Sequence, residues 1–113
     1  MPITNPATRE SAALHISSLG SWISFHTTDP GTTGGNEASG GGYARKQTTW
    51  TGGAADGTVT GSQVTIDVPA GAWAWCGIWS AQNGGTFVEK FSVNSNTLSA
   101  AGQIIVTPTI TVS

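Results

Sequence analysis

Few side chains in this sequence could carry out acid–base or metal chemistry: it has two histidines and six carboxylates in 113 residues. His15 and His26 are not spaced as an HExxH or similar pair that would place two imidazoles on one metal. His26 lies three residues before Asp29, and this is the one candidate acid–base pair. A histidine beside a turn aspartate more often makes a local hydrogen bond. The sequence therefore predicts no catalytic residue, no metal ligand and no cofactor.

Nucleophilic and phosphate-binding motifs are equally scarce. Cys76, the single cysteine, lies in the most hydrophobic segment, where a buried thiol has a raised pKa and acts as an apolar residue. No Gly-x-Ser-x-Gly elbow occurs. The glycines at 34–35 and 40–42 are not followed by a Gly-Lys-Ser/Thr motif or a helix. Calcium binding by Asp29, Asn36 and Glu37 has no Asp-x-Asp-x-Asp pattern behind it.

Charge and length restrict the classes of function further. Charged residues make up 9% of the sequence, with four basic and six acidic side chains, so it lacks the cationic surface that nucleic acid requires. No apolar run is long enough to span a membrane, and no signal peptide is evident. The sequence thus predicts one domain over residues 1–113, folded in a cytoplasm, with no nucleic-acid or membrane partner.

One helix is predicted near the N-terminus. Asn5 and Pro6 form an N-cap followed by proline at the first helical position, and Gly20 is a candidate stop. The apolar face consists of Ala12, Ile16 and Leu19, whereas Arg9, Glu10 and Ser17 lie largely elsewhere. We expect residues 1–20 to form an N-terminal segment and helix that packs on a β domain at residues 21–113, or on a neighbouring subunit.

The rest of the sequence has the alternation typical of strands. Ile23 and Phe25 alternate with polar neighbours, and residues 72–80 are apolar on both faces, which predicts the central strand. Further strands are predicted at 43–50, 64–68, 87–91 and 104–112. Their spacing indicates a mainly β fold, a small antiparallel β-sandwich or barrel with one short N-terminal α-helix. Pro108 marks the last strand as an edge strand or a bend, and its edge could either pair with another copy or be covered by a loop of the same chain.

Two features are candidate contact surfaces. The loop at 28–42 is rich in Gly, Asn, Asp and Pro and is longer than a hairpin turn, so it is predicted to be a surface loop with a function or with mobility. Trp73, Trp75 and Trp79 share one parity and are predicted to be core. Trp22 and Trp50 stand near polar sequence and could be protein-interface anchors or platforms for sugar rings.

Two segments carry a resemblance to a known family. Residues 22–31 (WISFHTTDPG) and 35–46 (GNEASGGGYARK) resemble small β domains of tailed-phage virion proteins, of the actinobacteriophage type. Residues 72–80, 84–87 and 102–106 match that family's hairpin and returning strand, so the resemblance covers nearly the whole sequence. The sequence departs from the pattern at Trp75-Cys76, where the family commonly has a histidine or threonine with an aromatic residue.

The resemblance implies a non-enzymatic virion protein assembled in the host cytoplasm. We expect a capsid decoration protein that binds the major capsid protein and self-associates as a trimer. The alternatives are a minor tail, tail-tip or tail-fibre module, and a carbohydrate-binding module for host glycans. The side chains predicted to form its interface come from the first half of the sequence: Trp22, His26, Asp29, Asn36, Glu37, Tyr43, Arg45 and Trp50.

Overall fold

The computed structural model describes residues 3–112 and contains one helix. Helix α1 spans Pro6–Leu19, and the amide of Ala7 donates to Asn5 Oδ1 at 2.9 Å, which confirms the predicted N-cap. Gly20 ends the helix in an extended conformation with φ of −177°, so the left-handed stop is not used. Glycine is required there because a Cβ would overlap the backbone carbonyl of Trp79.

Helix α1 packs only partly through the predicted face. Ile16 packs against the main core, but the buried residues of the helix are Glu10 and Ala13, and Leu19 is 48% exposed. Glu10 enters the packed face because its Oε2 accepts a hydrogen bond from the amide of Gly53 at 2.8 Å. The sequence pattern ranks side chains by hydropathy and therefore places this glutamate on the wrong side.

No helix within residues 3–112 is long and apolar enough to cross a membrane.

Across residues 3–112, nine strands form three antiparallel sheets. The strands are β1 (Trp22–His26), β2 (Lys46–Gln47), β3 (Trp50–Thr51), β4 (Thr58–Gly61), β5 (Val64–Val68), β6 (Gly71–Trp79), β7 (Phe87–Leu98), β8 (Gly102–Val106) and β9 (Thr109–Thr111). The sheet orders are β2-β1-β6-β7, β3-β4-β9 and β5-β8. The mainly β, sandwich-like fold with a short N-terminal helix is therefore confirmed.

The strand predictions hold best where alternation is strong. Strands β1, β5 and β6 match their predicted segments, and β6 lies between β1 and β7. The segment predicted at 43–50 instead forms two short strands, β2 and β3. The last predicted segment, 104–112, divides at a bend at Pro108 into β8 and β9. Ser113, which follows this segment, lies outside the described residues. Strand β7 runs seven residues past the predicted end at 91, and β4 is not among the predicted strands.

The register of β1 on β6 separates two faces of the four-stranded sheet. Ile23 lies opposite Ile78, and Phe25 lies opposite Cys76; all four side chains belong to the main hydrophobic core. The next positions face the other way, because side chains alternate along a strand. On this outer face, Ser24 lies opposite Gly77. The four-stranded sheet thus has a second buried surface that the sandwich core does not cover.

Candidate functional site

The loop at 28–42, predicted to be a contact surface, folds back over the outer face. The amide of Ala38 donates to the carbonyl of Phe25 at 2.9 Å, and the amide of Thr27 donates to the carbonyl of Asn36 at 3.0 Å. Its buried residues include Pro30, Gly34 and Ala38. Gly34 has a φ of +77° and lies against the Trp79 ring, where a side chain would clash. The loop is therefore a lid over the outer face, and its exposed parts are residues 28–29, 31–33, 36 and 39–42.

Beneath this lid, three side chains form a hydrogen-bonded row. Trp79 Nε1 donates to Ser24 Oγ at 2.9 Å, and Ser24 Oγ lies 2.7 Å from His26 Nε2. His26 Nδ1 lies 2.7 Å from the carbonyl of Gly35. A carbonyl only accepts, so Nδ1 carries the proton, Nε2 accepts, and the Ser24 hydroxyl donates to it. Every polar atom in the row has a partner.

The arrangement holds His26 in its neutral form. Burial lowers the pKa of His26 below its ordinary value of 6.5, and the nearby Arg45 charge lowers it further, while the Gly35 carbonyl and Glu37 oppose the shift. A proton on Nε2 would leave the Ser24 hydroxyl hydrogen without its present acceptor. The imidazole therefore works as a neutral bridge between strand and lid.

Glu37, Tyr43 and Arg45 form a second network on the lid. Arg45 holds both oxygens of Glu37, with Nε to Oε2 at 2.7 Å and Nη2 to Oε1 at 2.8 Å. The Tyr43 hydroxyl donates to Glu37 Oε2 at 2.7 Å and accepts from the amide of Phe25 at 3.2 Å. Such two-point arginine–carboxylate pairs are the stronger kind of ion pair. The lid is thus tied to β1 through Tyr43.

Arg45 also holds the turn between β6 and β7. Its Nη1 donates to the carbonyls of Ala81 at 3.0 Å and Gly84 at 2.8 Å. Its guanidinium carbon lies 3.6 Å from the centroid of the Trp79 ring, and the side chain is 7% exposed. One arginine therefore joins the lid, the hairpin turn and the outer face.

The pKa shifts in this network follow from burial and charge. Desolvation raises the pKa of Glu37, but the hydrogen bonds from Arg45 and Tyr43 outweigh it, and the net pKa lies below the ordinary 4.5. Burial, followed by the Glu37 hydrogen bond, raises the pKa of Tyr43. Burial also raises the pKa of the Cys76 thiol, which fits a core residue better than a nucleophile.

The remaining predicted interface residues lie elsewhere. Asp29 does not pair with His26; it is 52% exposed and lies 2.6 Å from Lys90 Nζ. Asn36 is exposed and adopts a φ of +63°. Trp22 is half-buried at the start of β1, and Trp50 donates its indole N–H to the carbonyl of Gly20 at 2.9 Å. The eight residues therefore do not form one patch, and their role in binding another molecule stays a prediction.

The tryptophans of β6 do not form one continuous core face. Trp73 is 1% exposed and belongs to the main core, while Trp79 is 9% exposed and lies with Ser24 on the outer face. Trp75 is half-buried, and Lys90 Nζ lies 5.2 Å from its ring centroid. An irregular register between Trp73 and Trp75 accompanies this change.

Ser24 and His26 have the spacing of a nucleophile and its base, but both are fully buried. A substrate could not reach this pair while the lid is in place. Within residues 3–112, no three metal-ligating side chains lie close enough to hold an ion. What the arrangement does is hold the lid on the sheet.

Sequence reasoning misses three of the residues that build this site. Ser24, Gly77 and Trp79 have no predicted role beyond membership of their strands. Gly77 lies against Ser24 and His26, where a Cβ would come within 2.7 Å of Ser24 Oγ. The available signal is a small residue within an otherwise apolar strand, which indicates a close approach by another group.

Comparison with known proteins adds one finding. The family model described as Podophage GP4 fiber I protein gp80 matches residues 5–113. No curated protein matches this sequence. The match confirms the phage virion part of the resemblance. Its description concerns podophage fibres and does not support the actinobacteriophage assignment.

Proposed function

The protein belongs to the family of the podophage GP4 fiber I protein gp80, and we propose that it is a non-enzymatic structural subunit of a tail fibre. The family match over residues 5–113 carries this proposal. It favours the tail-fibre alternative over capsid decoration, because the family is described by its fibre and not by a capsid role. The protein is a virion component in either case.

The geometry of the outer face supports a structural role. Four of the predicted site residues have side chains suited to chemistry: His26, Glu37, Tyr43 and Arg45. Each is already hydrogen-bonded within the protein, His26 to the carbonyl of Gly35, and Tyr43 and Arg45 to Glu37. Catalytic groups need an open position beside them for a reacting atom. Here the polar groups are used to fasten a lid, so the site contributes stability.

We further propose that copies of the protein associate, with a trimer as the expected state. Strands β7 and β9 are edges of their sheets. A groove of about 390 Å³ lies between them, lined by apolar residues such as Ile78 and Ile110 and by one acidic and one basic residue, Glu89 and Lys90. A patch with one charge of each sign can face its own copy without net repulsion.

The fibre assignment can be tested by locating the protein in the particle. Purified virions labelled with an antibody to this protein and imaged by electron microscopy should carry label on the fibres at the tail. Label spread evenly over the capsid would overturn the fibre proposal and support decoration. Virions that contain none of the protein would overturn both.

The oligomeric state requires a separate measurement. Light scattering on the purified protein should give the mass of a trimer, and Glu89→Lys should shift it towards the monomer, because the groove would then present two positive charges to its own copy. Lys46→Glu is the matched charge-reversal control, since Lys46 is exposed and lies outside this groove. A monomer at all concentrations would overturn the self-association and leave the fibre assignment standing.

A further inference from the structure

The turn between β6 and β7 contains the one Asn-Gly pair of the sequence, Asn83-Gly84. Both residues are exposed. Gly84 has a φ of +64°, and a Cβ built there would meet no atom within 4 Å. Within residues 3–112, neither the Asn83 side chain nor the Gly84 amide has a hydrogen-bond partner. Neither group is therefore held by a hydrogen bond, and both are open to water.

We propose that Asn83 is a site of spontaneous, enzyme-free deamidation. The Gly84 nitrogen, after losing its proton to hydroxide, attacks Asn83 Cγ and forms a new bond to it, while the bond between Cγ and Nδ2 breaks and ammonia leaves. Water then opens the resulting succinimide at either carbonyl. The products are aspartate, with the original backbone, and isoaspartate, in which the backbone passes through the side-chain methylene. Water is the only co-reactant, and nothing is oxidised or reduced.

The reaction is favoured here because the following residue is glycine. Any side chain on that residue hinders closure of the ring, and a residue with a Cβ rarely adopts the left-handed conformation of Gly84. Two other exposed asparagines lack this feature and are matched to Asn83 in exposure: Asn36 precedes Glu37, and Asn94 precedes Ser95. They serve as comparison sites within the same molecule.

The position of Asn83 gives the reaction a structural effect. Arg45 holds the carbonyls on both sides of it, those of Ala81 and Gly84, with one nitrogen. Asn83 also lines a cleft of about 290 Å³ with Glu37 and Arg45. An isoaspartate adds a methylene to the backbone between the two held carbonyls, so Arg45 can no longer bind both. Deamidation at this turn therefore loosens the lid.

The proposal is tested by ageing the purified protein at neutral pH and mapping its peptides by mass spectrometry. Asn83 should gain the mass of an amide-to-acid change roughly tenfold faster than Asn36 or Asn94, because only Asn83 precedes a glycine. Equal rates at the three sites would overturn the proposal, since they would show that the turn holds Asn83 Cγ away from the Gly84 nitrogen.

Two variants test the structural effect. The melting temperature of the wild type should fall during ageing, whereas that of Asn83→Gln should stay constant, because glutamine must close a larger and slower ring. Asn83→Asp carries the new charge without the added methylene and should melt close to fresh wild type. A wild type that deamidates without any change in melting temperature, or an Asn83→Asp protein that melts as low as aged wild type, would overturn the claim that the inserted methylene breaks the Arg45 contacts.

Discussion

The guanidinium of Arg45 lies over the ring of Trp79, with 3.6 Å between its central carbon and the ring centroid. The two residues come from the segment that follows the lid loop and from β6, and each has a second role. Arg45 binds Glu37, and Trp79 donates to Ser24. This contact is where the two hydrogen-bonded networks of the outer face meet.

Replacing Arg45 should therefore weaken the whole outer face. Arg45→Ala leaves the Glu37 carboxylate partly buried without its cation and frees two carbonyls of the hairpin turn, so we expect a loss of about 3 kcal/mol in the free energy of unfolding. Urea denaturation provides the measurement. Lys46→Ala is the matched control, because Lys46 is the next residue but is exposed, and it should change stability by less than about 0.5 kcal/mol. Equal effects of the two variants would contradict the role given to Arg45.

Stability should rise with pH near the titration of His26. The pKa of His26 is lowered from 6.5 in the folded protein, so the unfolded state binds the proton more readily. The free energy of unfolding therefore falls as the pH drops through 6.5 and is constant above it. Glu37 acts at lower pH, since its lowered pKa makes stability fall only below 4.5.

Urea titrations across this pH range measure the effect. His15→Gln should retain the slope near pH 6.5, because His15 is exposed on α1 and no described hydrogen bond uses its ring. A free energy of unfolding that stays level or increases as the pH falls through this region would rule out a neutral, buried His26.

A methyl group added at position 77, on β6, should push β1 away from β6. In Gly77→Ala the new Cβ would lie 2.7 Å from Ser24 Oγ and 2.9 Å from His26 Nε2, and we expect a loss of about 2 kcal/mol. Gly35→Ala is the matched control: its Cβ would meet only the Pro30 carbonyl, at 3.9 Å. That variant should be neutral or slightly stabilised. Thermal melts of both proteins distinguish crowding from a general effect of glycine replacement.

Removing the buried charge of Glu10 should stabilise the protein. Glu10 is 5% exposed, and within residues 3–112 its Oε1 has no hydrogen-bond partner. Glu10→Gln keeps an oxygen for the amide of Gly53 and removes an uncompensated charge, so we expect a gain of about 1 kcal/mol at neutral pH. Asp67→Asn, at a half-buried position on β5, should change stability by less than about 0.5 kcal/mol in the same denaturation experiment. A loss of stability in Glu10→Gln would show that the charge itself is needed.

Alternation and capping predict much of the fold. Val64, Ile66 and Val68 alternate with polar residues and form β5 with all three side chains buried. Asn5 and Pro6 mark the start of α1 correctly. These signals are local, because a strand's period and a helix cap depend on neighbours in sequence.

The candidate site is harder to predict because its contacts are long-range. Ser24 and Trp79 are 55 residues apart in sequence, and no local pattern shows that a hydroxyl will meet that indole. Residues 28–42 have the composition of an exposed loop, yet Gly34 lets the backbone lie close against Trp79. The wrong prediction that Glu10 lies off the packed face of α1 has the same origin. Its partner is the backbone amide of Gly53, 43 residues away, and a hydropathy pattern does not describe backbone groups.

The hydrogen bonds from Arg45 to the carbonyls of Ala81 and Gly84 close sequence separations of 36 and 39 residues. We expect contacts of this separation to form late in folding, because the loop that they close costs entropy before the contact is made. Interactions absent from the folding transition state slow unfolding while leaving the folding rate nearly unchanged. We therefore expect Arg45 to lengthen the lifetime of each native molecule, which is the quantity that matters for a particle that cannot replace its parts.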